Sequence, residues 1–255
     1  MILGIDSSGL TASVAITDEY RDLAIAEYTV NLKKTHSQTL LPMIDEIFRL
    51  TGMVKKDITA VAVAAGPGSF TGLRIGGATA KGIAEALDIP VIPVPTVQGL
   101  AYNCVGFREL VCPVMDARRN QTYTGIYEFV KKEGLSDIEG GNVASPSGVY
   151  HYSVNEIMPQ SAVDIEELIN KLNELGREVI FLGDGVPVFA EIIDRDLKAA
   201  HTYAPSGLNR QSAVSVARLG AVLLSEGKVL SAADFAPEYL RQSQAERETG
   251  IKVTD

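Results

Sequence analysis

The stretch that most constrains this chain is the uncharged run Ile58 to Ala65. It feeds directly into Gly66-Pro67-Gly68-Ser69-Phe70-Thr71-Gly72 and then into a segment, to about Leu87, rich in glycine and alanine. A strand covered on both faces reads as such a run, because neither side has to meet water. The chain must therefore pass from a buried strand through a glycine-rich loop into a helix, which predicts an α/β fold with parallel strands.

The same alternation recurs on either side. Ile2 to Ile5 is a strand halted by Asp6-Ser7-Ser8-Gly9, and Ala12 to Ile16 and Leu23 to Val30 continue as a meander. Leu40, Ile44, Ile47 and Phe48 recur at helical spacing with Leu41 beside them, predicting a helix with Pro42 in its first turn and Gly52 at its end. Ile89 to Val94 gives a proline-broken strand, followed by a short helix from about Thr96 to Asn103. A second unit begins near Leu110 with a strand ending at Met115-Asp116. A strand from Thr122 to Phe129 and a polar loop from Lys131 to Ser147 come next. Ile165, Leu168, Ile169, Leu172 and Leu175 mark an amphipathic helix, Val179 to Leu182 a buried strand, and Gly183-Asp184-Gly185 the turn into Val186 to Ile193. Ala213 to Leu224 is an apolar helix, and the charged stretch after Arg241 is expected to be a mobile tail. Both halves run a meander into a helix, so the expectation is a pair of duplicated α/β lobes.

Composition supports that size of core. With 46% hydrophobic and 22% charged residues and a mean hydropathy of +0.11, disorder and collagen-like repetition are excluded. The 255 residues allow one large domain or two lobes around a cleft. Thirty-two acids against 23 bases leave a net charge of -9, so the mean surface field repels polyphosphate. Contact with nucleic acid must then be local or delegated to a partner. Cys104 and Cys112 cannot form a disulfide scaffold, and a reducing, cytoplasmic setting is expected. Met1-Ile2-Leu3-Gly4-Ile5-Asp6 has no basic leader, and no segment approaches the roughly 18 apolar residues of a membrane span; a soluble protein is expected.

Two turns could hold a nucleotide. In Asp6-Ser7-Ser8-Gly9 a strand-end carboxylate followed by small residues can position Mg2+ beside phosphate-facing N–H groups, although the same residues make any tight turn. Gly183-Asp184-Gly185 could bring backbone close to a phosphate, and a bare turn explains it nearly as well. Asp6, Ser7, Gly183, Asp184 and Gly185 are thus the candidates for ATP or ADP with Mg2+ at a lobe or subunit interface. The Gly66 to Gly72 loop is not a Walker A loop, since Leu73-Arg74 replace the lysine and hydroxyl residue, and it misses the dinucleotide spacing as well. A structural turn is the favoured reading. Met115-Asp116-Ala117-Arg118-Arg119 places an acid and two bases beyond a strand, as a ligand corner or, preferably, a surface ion pair. His36, His151 and His201 have no metal spacing, and no serine sits in a nucleophile elbow.

The helix after the loop carries Gly76, Gly77, Ala78, Ala80, Gly82, Ala84 and Ala86, with Arg74, Lys81 and Glu85 as its charges. Each glycine costs a helix about 1 kcal/mol relative to alanine, so close packing should compensate. That packing is either against its own sheet or against another chain, with the Leu40 to Phe48 helix extending the same surface.

The sequence resembles the TsaB (YeaZ) family, which participates in making the threonylcarbamoyladenosine of tRNA. The matching pieces are Ile5-Asp6-Ser7-Ser8, His36-Ser37 with Leu40-Leu41-Pro42, Gly66 through Arg74, Met115 through Arg119, Gly183-Asp184-Gly185, and Pro237-Glu238-Tyr239-Leu240-Arg241. The resemblance implies a two-lobed actin-like, sugar-kinase-like (ASKHA) fold with RNase H-like lobes. The implied limits are residues 1–105 for a partner-binding lobe, 106–210 for the second, 211–241 for a segment packing across them, and 242–255 for the tail. It also implies a paralogue, TsaD, that performs the transfer and holds metal through a His-Met-Glu-Gly-His motif. The similar segment here, Thr96-Val97-Gln98-Gly99-Leu100, lacks both histidines, so no catalytic metal and no catalytic residue are expected.

The resemblance further implies that this chain holds TsaD in an active arrangement, alongside the ATPase TsaE, and self-associates through the same helices when alone. The implied interface comprises Leu40, Ile44, Phe48, Leu73, Arg74, Gly76, Gly77, Ala80, Lys81 and Ala84. On this reading the chain meets tRNA only through the complex, with no membrane involved. The competing readings are a phosphotransferase of the same fold using Asp6 and Asp184, a peptidase acting on the partner, and a dimerising module without a nucleotide site.

Overall fold

Two sheets of five strands each are built to one plan. The computed structural model describes residues 1–32, 35–132 and 152–240. The first half runs β1 (Ile2–Asp6), β2 (Ala12–Asp18), β3 (Leu23–Val30), α1 (His36–Thr51), β4 (Ala60–Gly66), α2 (Phe70–Leu87), β5 (Val91–Pro95) and α3 (Thr96–Ala101). The second runs β6 (Leu110–Asp116), β7 (Gln121–Lys131), β8 (Tyr152–Asp164), α4 (Ile165–Leu175), β9 (Val179–Leu182), α5 (Val186–Asp196), β10 (His201–Tyr203) and α6 (Ala213–Ser225).

The strand orders are β3-β2-β1-β4-β5 and β10-β9-β6-β7-β8. In each, three antiparallel strands come first in the chain and two parallel strands follow through helical crossovers. The second order is the first read in reverse with each strand replaced by its counterpart. This is the mixed α/β architecture with duplicated lobes that the meander-then-helix pattern predicts, the plan of the actin-like, sugar-kinase-like fold that the resemblance implies.

The period-two alternation of β1 explains how its two faces are filled. Leu3 and Ile5 point toward α1 and α2, packing with Leu40, Ile44, Ile47, Ala80 and Ala84. Ile2 points the other way, into a cluster with Val97 and Leu100 of α3 and Val216 and Ala217 of α6. That cluster continues into Met115 and Tyr127 of the second sheet, so α3 and α6 form the shared layer between lobes. A Cβ on Gly4 would overlap the Ala213 carbonyl, showing how closely the start of α6 lies on β1. The far face of the second sheet packs Leu110, Cys112 and Val114 against Ile165, Leu168, Phe189 and Ile193. Each fully buried Leu, Ile or Phe contributes about 1.5–3 kcal/mol.

Three details differ from the sequence expectations. α1 begins a turn earlier than expected, so Pro42 lies inside it and the Gln38 carbonyl loses its helical donor; both residues are exposed, where solvent satisfies that carbonyl. The edge strand β8 was hidden by its mixed exposure and Pro159, and β10 by having three residues. Cys104 and Cys112 are buried and unbridged. His151, most of the 131–147 loop, Arg241 and the tail of 242–255 lie outside the described residues.

Candidate functional site

β1 ends on Asp6, whose side chain is 1% exposed. The Ser8 backbone N–H and hydroxyl both donate to Asp6 Oδ1, at 2.9 and 2.7 Å. Burial pushes this carboxyl up from 3.8 to about 6; the Ser8 bonds and the nearby His36 pull it back down, and Asp184 adds to the rise. His36, at the start of α1, places Nε2 2.9 Å from the Gly9 carbonyl and fixes the same turn from the other side.

The glycine-rich loop closes over this turn and spends its backbone there. Ser69 N–H donates to the Ser8 carbonyl at 2.6 Å, and Ser7 Oγ donates to the Gly72 carbonyl at 2.8 Å. A Cβ at Gly68 would overlap the Ser8 carbonyl, one at Gly72 the Ser7 carbonyl, and one at Gly76 the Ser7 hydroxyl. The α2 N-terminus is capped internally, with the Ser69 side chain accepting from Gly72 N–H. These glycines serve chain-to-chain contact within the lobe, as the structural-turn reading expects.

From the second lobe, the Gly183–Gly185 turn packs on β6 in the same way. Gly185 N–H donates to the Val114 carbonyl at 2.9 Å, and a Cβ at Gly183 would overlap that oxygen. Asp184 is half-buried and accepts from Asp116 N–H at 3.4 Å. Burial raises its pKa, against the opposing bond from Asp116 and the Arg210 charge. Arg210 donates to the carbonyls of Gly183 and Asn209 at 3.0 and 2.8 Å. Gln211, 2% exposed, lies on Gly9 with neither amide atom bonded.

Asp184 lies near enough to Asp6 to raise its pKa, so the structure brings the Asp6-Ser7 turn and the Gly183–Gly185 turn into one neighbourhood. Their donor set fits a Mg2+–nucleotide poorly: Asp6 Oδ1 already accepts two bonds, and the glycine N–H groups at positions 183 and 185 point to protein carbonyls. Among the described residues no group of three or more His, Cys, Asp or Glu is arranged to hold a metal. Thr96 to Leu100 forms most of α3, where Thr96, Val97, Gly99 and Leu100 are buried. Thr96 Oγ1 accepts the Gly66 N–H at 3.0 Å. This segment is a packed joint between lobes.

The residues expected at a partner interface divide sharply. Leu40, Ile44, Leu73, Gly76, Gly77, Ala80 and Ala84 are buried in their own lobe, Phe48 and Lys81 are half-buried, and Arg74 is exposed. Gly77 is sealed by Phe235 and Pro237 from the C-terminal strap, while Lys81 Nζ donates to the carbonyls of Ala233 and Phe235 at 3.3 and 2.9 Å. Within the chain itself, the smallness of Gly76 and Gly77 admits the β1–β2 turn and the strap. The face of α2 left open carries Thr71, Arg74, Ala78, Gly82, Glu85 and Ala86, and nothing lies within 4 Å of a Cβ built on Gly82. Leu41 and Leu50 are exposed on α1.

Sequence reasoning missed the strap as a structural partner of α2. Its signal was the Pro237 to Arg241 motif: Glu238 N–H donates to the Ala65 carbonyl, and Tyr239 stacks on Phe70 at 4.9 Å. The Arg74 guanidinium lies 4.1 Å over Phe70 and donates to Tyr239 OH at 3.2 Å. Asn103 was also missed. It donates to the carbonyls of Leu208 and Arg210, both at 2.7 Å, and accepts from Ser215 Oγ at 2.6 Å.

With this geometry in view, a family model described as TsaD, tRNA N6-adenosine threonylcarbamoyltransferase, matches residues 25–249. The tRNA threonylcarbamoyladenosine biosynthesis protein TsaB of Bacillus subtilis (strain 168) is 32% identical over 245 residues, covering 96% of each chain. Its namesake in Escherichia coli (strain K12) is 25% identical over 249 residues, again covering 96% of each. Among solved structures, YeaZ from Pseudomonas aeruginosa superposes with a TM-score of 0.70 at 21% identity, covering 93% of this chain and 99% of that one, a likeness in fold.

Proposed function

Because this chain belongs to the TsaB family of tRNA threonylcarbamoyladenosine biosynthesis proteins, we propose that it acts there as a non-catalytic partner of a TsaD-like transferase. It supplies a docking face that holds the transferase in its active arrangement, and the transferase supplies the reacting centre. The observation that carries this reading is the division of α2. One face is spent on its own lobe and strap, and the other leaves Ala78 and Gly82 uncovered beside the Phe70–Arg74–Tyr239 cluster.

Small residues at such a face let a second helix approach closely, and the aromatic–arginine cluster gives it an anchor of the kind enriched at interface hot spots. Exposed Leu41 of α1 extends the apolar area. The absent role in chemistry is supported by two features already described. The glycine loop is consumed by Ser7 and Ser8, and the Thr96 to Leu100 segment is consumed by interlobe packing. The same open face serves a second copy of this chain when the transferase is absent, and a TsaE-like ATPase joins the assembled complex.

The test is reconstitution. The TsaD-like paralogue and TsaE-like ATPase of the same organism are supplied with threonylcarbamoyl adenylate and tRNA, with and without this chain. Modification that requires the chain, while the chain alone transfers nothing, is the expected result. Full activity without it, or transfer by the isolated chain, rejects the reading.

A further inference from the structure

We propose that the turn Arg118-Arg119-Asn120, at the tip of the β6–β7 hairpin, is a direct contact of this chain with the phosphate backbone of RNA. All three residues have positive φ, at 67°, 55° and 62°. The turn is closed by Gln121 N–H donating to the Arg118 carbonyl at 3.2 Å and Ala117 N–H donating to the Gln121 carbonyl at 3.0 Å. Arg119 and Asn120 are therefore the two central residues of a tight hairpin turn in which both must be left-handed, a role normally filled by Asn-Gly. An arginine there sets its Cβ against the following carbonyl. Glycine would remove the strain, and among the described residues no contact of the Arg119 guanidinium compensates for it.

Among the described residues, little engages these side chains. All three residues are exposed, and the Arg118 side chain is 86% exposed. Arg118 has one distant tie, 3.8 Å to Asp116 Oδ2, while its backbone N–H donates to Asp116 Oδ1 at 2.8 Å. Among the described residues no hydrogen bond or ion pair holds the Arg119 guanidinium. The Asn120 carbonyl accepts from Ile165 N–H at 3.3 Å, which anchors the tip from below and leaves the side chains facing outward.

The surroundings select the class of anion. Asp116 stands at the base of the turn, with Asp184 bonded to its N–H and Asp164 paired with Gln121. A small phosphate seated among these carboxylates would be repelled, and one held at the open tip would be screened by water. A polyanion lying across the tip avoids the acids and gains from counterion release at each arginine. On a chain of net charge -9 such a local contact is the form that RNA binding can take. Identifying the polyanion as tRNA rests on the functional reading above.

The experiment measures tRNA affinity of the complex of this chain with its TsaD-like paralogue, by fluorescence anisotropy between 50 and 200 mM KCl. The double variant Arg118→Gln/Arg119→Gln is expected to weaken binding and to reduce the slope of log K against log salt by about 1 per arginine lost. Arg119→Gly, which removes strain and guanidinium together, should bind RNA less well while unfolding at a higher temperature. Asn120→Gly relieves strain alone and should bind as the parent does. Unchanged affinity and slope in the double variant overturns the proposal, as does an Asn120→Gly variant that loses as much as Arg119→Gly. A loss confined to binding of ATP assigns the arginines to a nucleotide and also overturns it. If the chain proves dispensable for modification, the functional reading fails instead, and the affinity measurement still decides the contact.

Discussion

Gly77 of α2 lies directly beneath Phe235: a Cβ at position 77 would stand 3.0 Å from the ring carbon Cε1 and 3.5 Å from Cγ of Pro237. The C-terminal strap can close over the helix because no side chain stands there. A Cβ built on Gly82, five residues further on, would meet nothing within 4 Å. Gly77→Glu must displace Phe235 from the core or bury a charge, and should cost more than about 2 kcal/mol. Gly82→Ala gains helix propensity with nothing to strike and should raise stability by up to about 1 kcal/mol. Urea denaturation of the two variants tests this opposition; equal effects would mean that the strap does not seal the helix.

The buried Asp6 carboxyl gives stability a specific pH dependence. Burial raises it from 3.8 to about 6, so at pH 7 folding pays to hold an ionised group out of water. The folded pKa exceeds the unfolded one. The penalty is therefore full above about 6, shrinks as pH falls through that value, and is gone below about 3.8. A shift of about two units corresponds to about 3 kcal/mol. Asp6→Asn keeps an acceptor for Ser8 and carries no charge. Between pH 7 and pH 4 the parent should gain on this variant by up to about 3 kcal/mol in urea unfolding, and a constant difference would refute the account.

What the sequence made legible was set by burial. β1, β4 and β9 are buried along their lengths and read as unbroken apolar runs, and α4 buries one clean stripe, so both lobes could be inferred from local pattern. β8 is an edge strand with no fully buried position, and its signal is weak for that reason. The helix α2 shows a deeper limit. Gly76 and Gly77 are small because Ser7 and Phe235 need the space, whereas nothing covers Gly82. These cases look alike in one dimension, and only long-range packing separates a glycine that admits its own chain from one that stays open.

Asn103 holds the junction on which the second lobe's last crossover turns. Its amide spans the carbonyls of Leu208 and Arg210 on one side and the Ser215 hydroxyl of α6 on the other. Asn103→Ala leaves all three groups without this partner, part-buried, at a cost of about 2 kcal/mol. Asn103→Asp keeps the acceptor and loses both donors, and should fall by a similar amount. Hydrogen exchange should then rise at the start of α6, around Ser215. Faster exchange spread evenly over the protein would show that Asn103 acts on global stability alone.

The open face of α2 makes the last prediction, and the cluster at its start makes it specific. Ala78→Glu places a charge on an exposed helical position and should leave the thermal midpoint within about 2 °C, since surface substitutions of this kind move stability by about 0.5 kcal/mol. In a close-packed contact with the TsaD-like partner the same carboxylate would be buried unpaired, so association should weaken by at least about 100-fold. Tyr239→Phe keeps the stack on Phe70 and removes the hydroxyl that accepts from Arg74; a smaller loss, about tenfold, is expected, since a hydrogen bond to a charged group is worth about 1.5–3 kcal/mol and this one helps to shape the cluster. Isothermal titration of each folded variant against the partner measures both. Parent-like affinity for Ala78→Glu would place the contact elsewhere on the lobe, whatever the outcome for Tyr239.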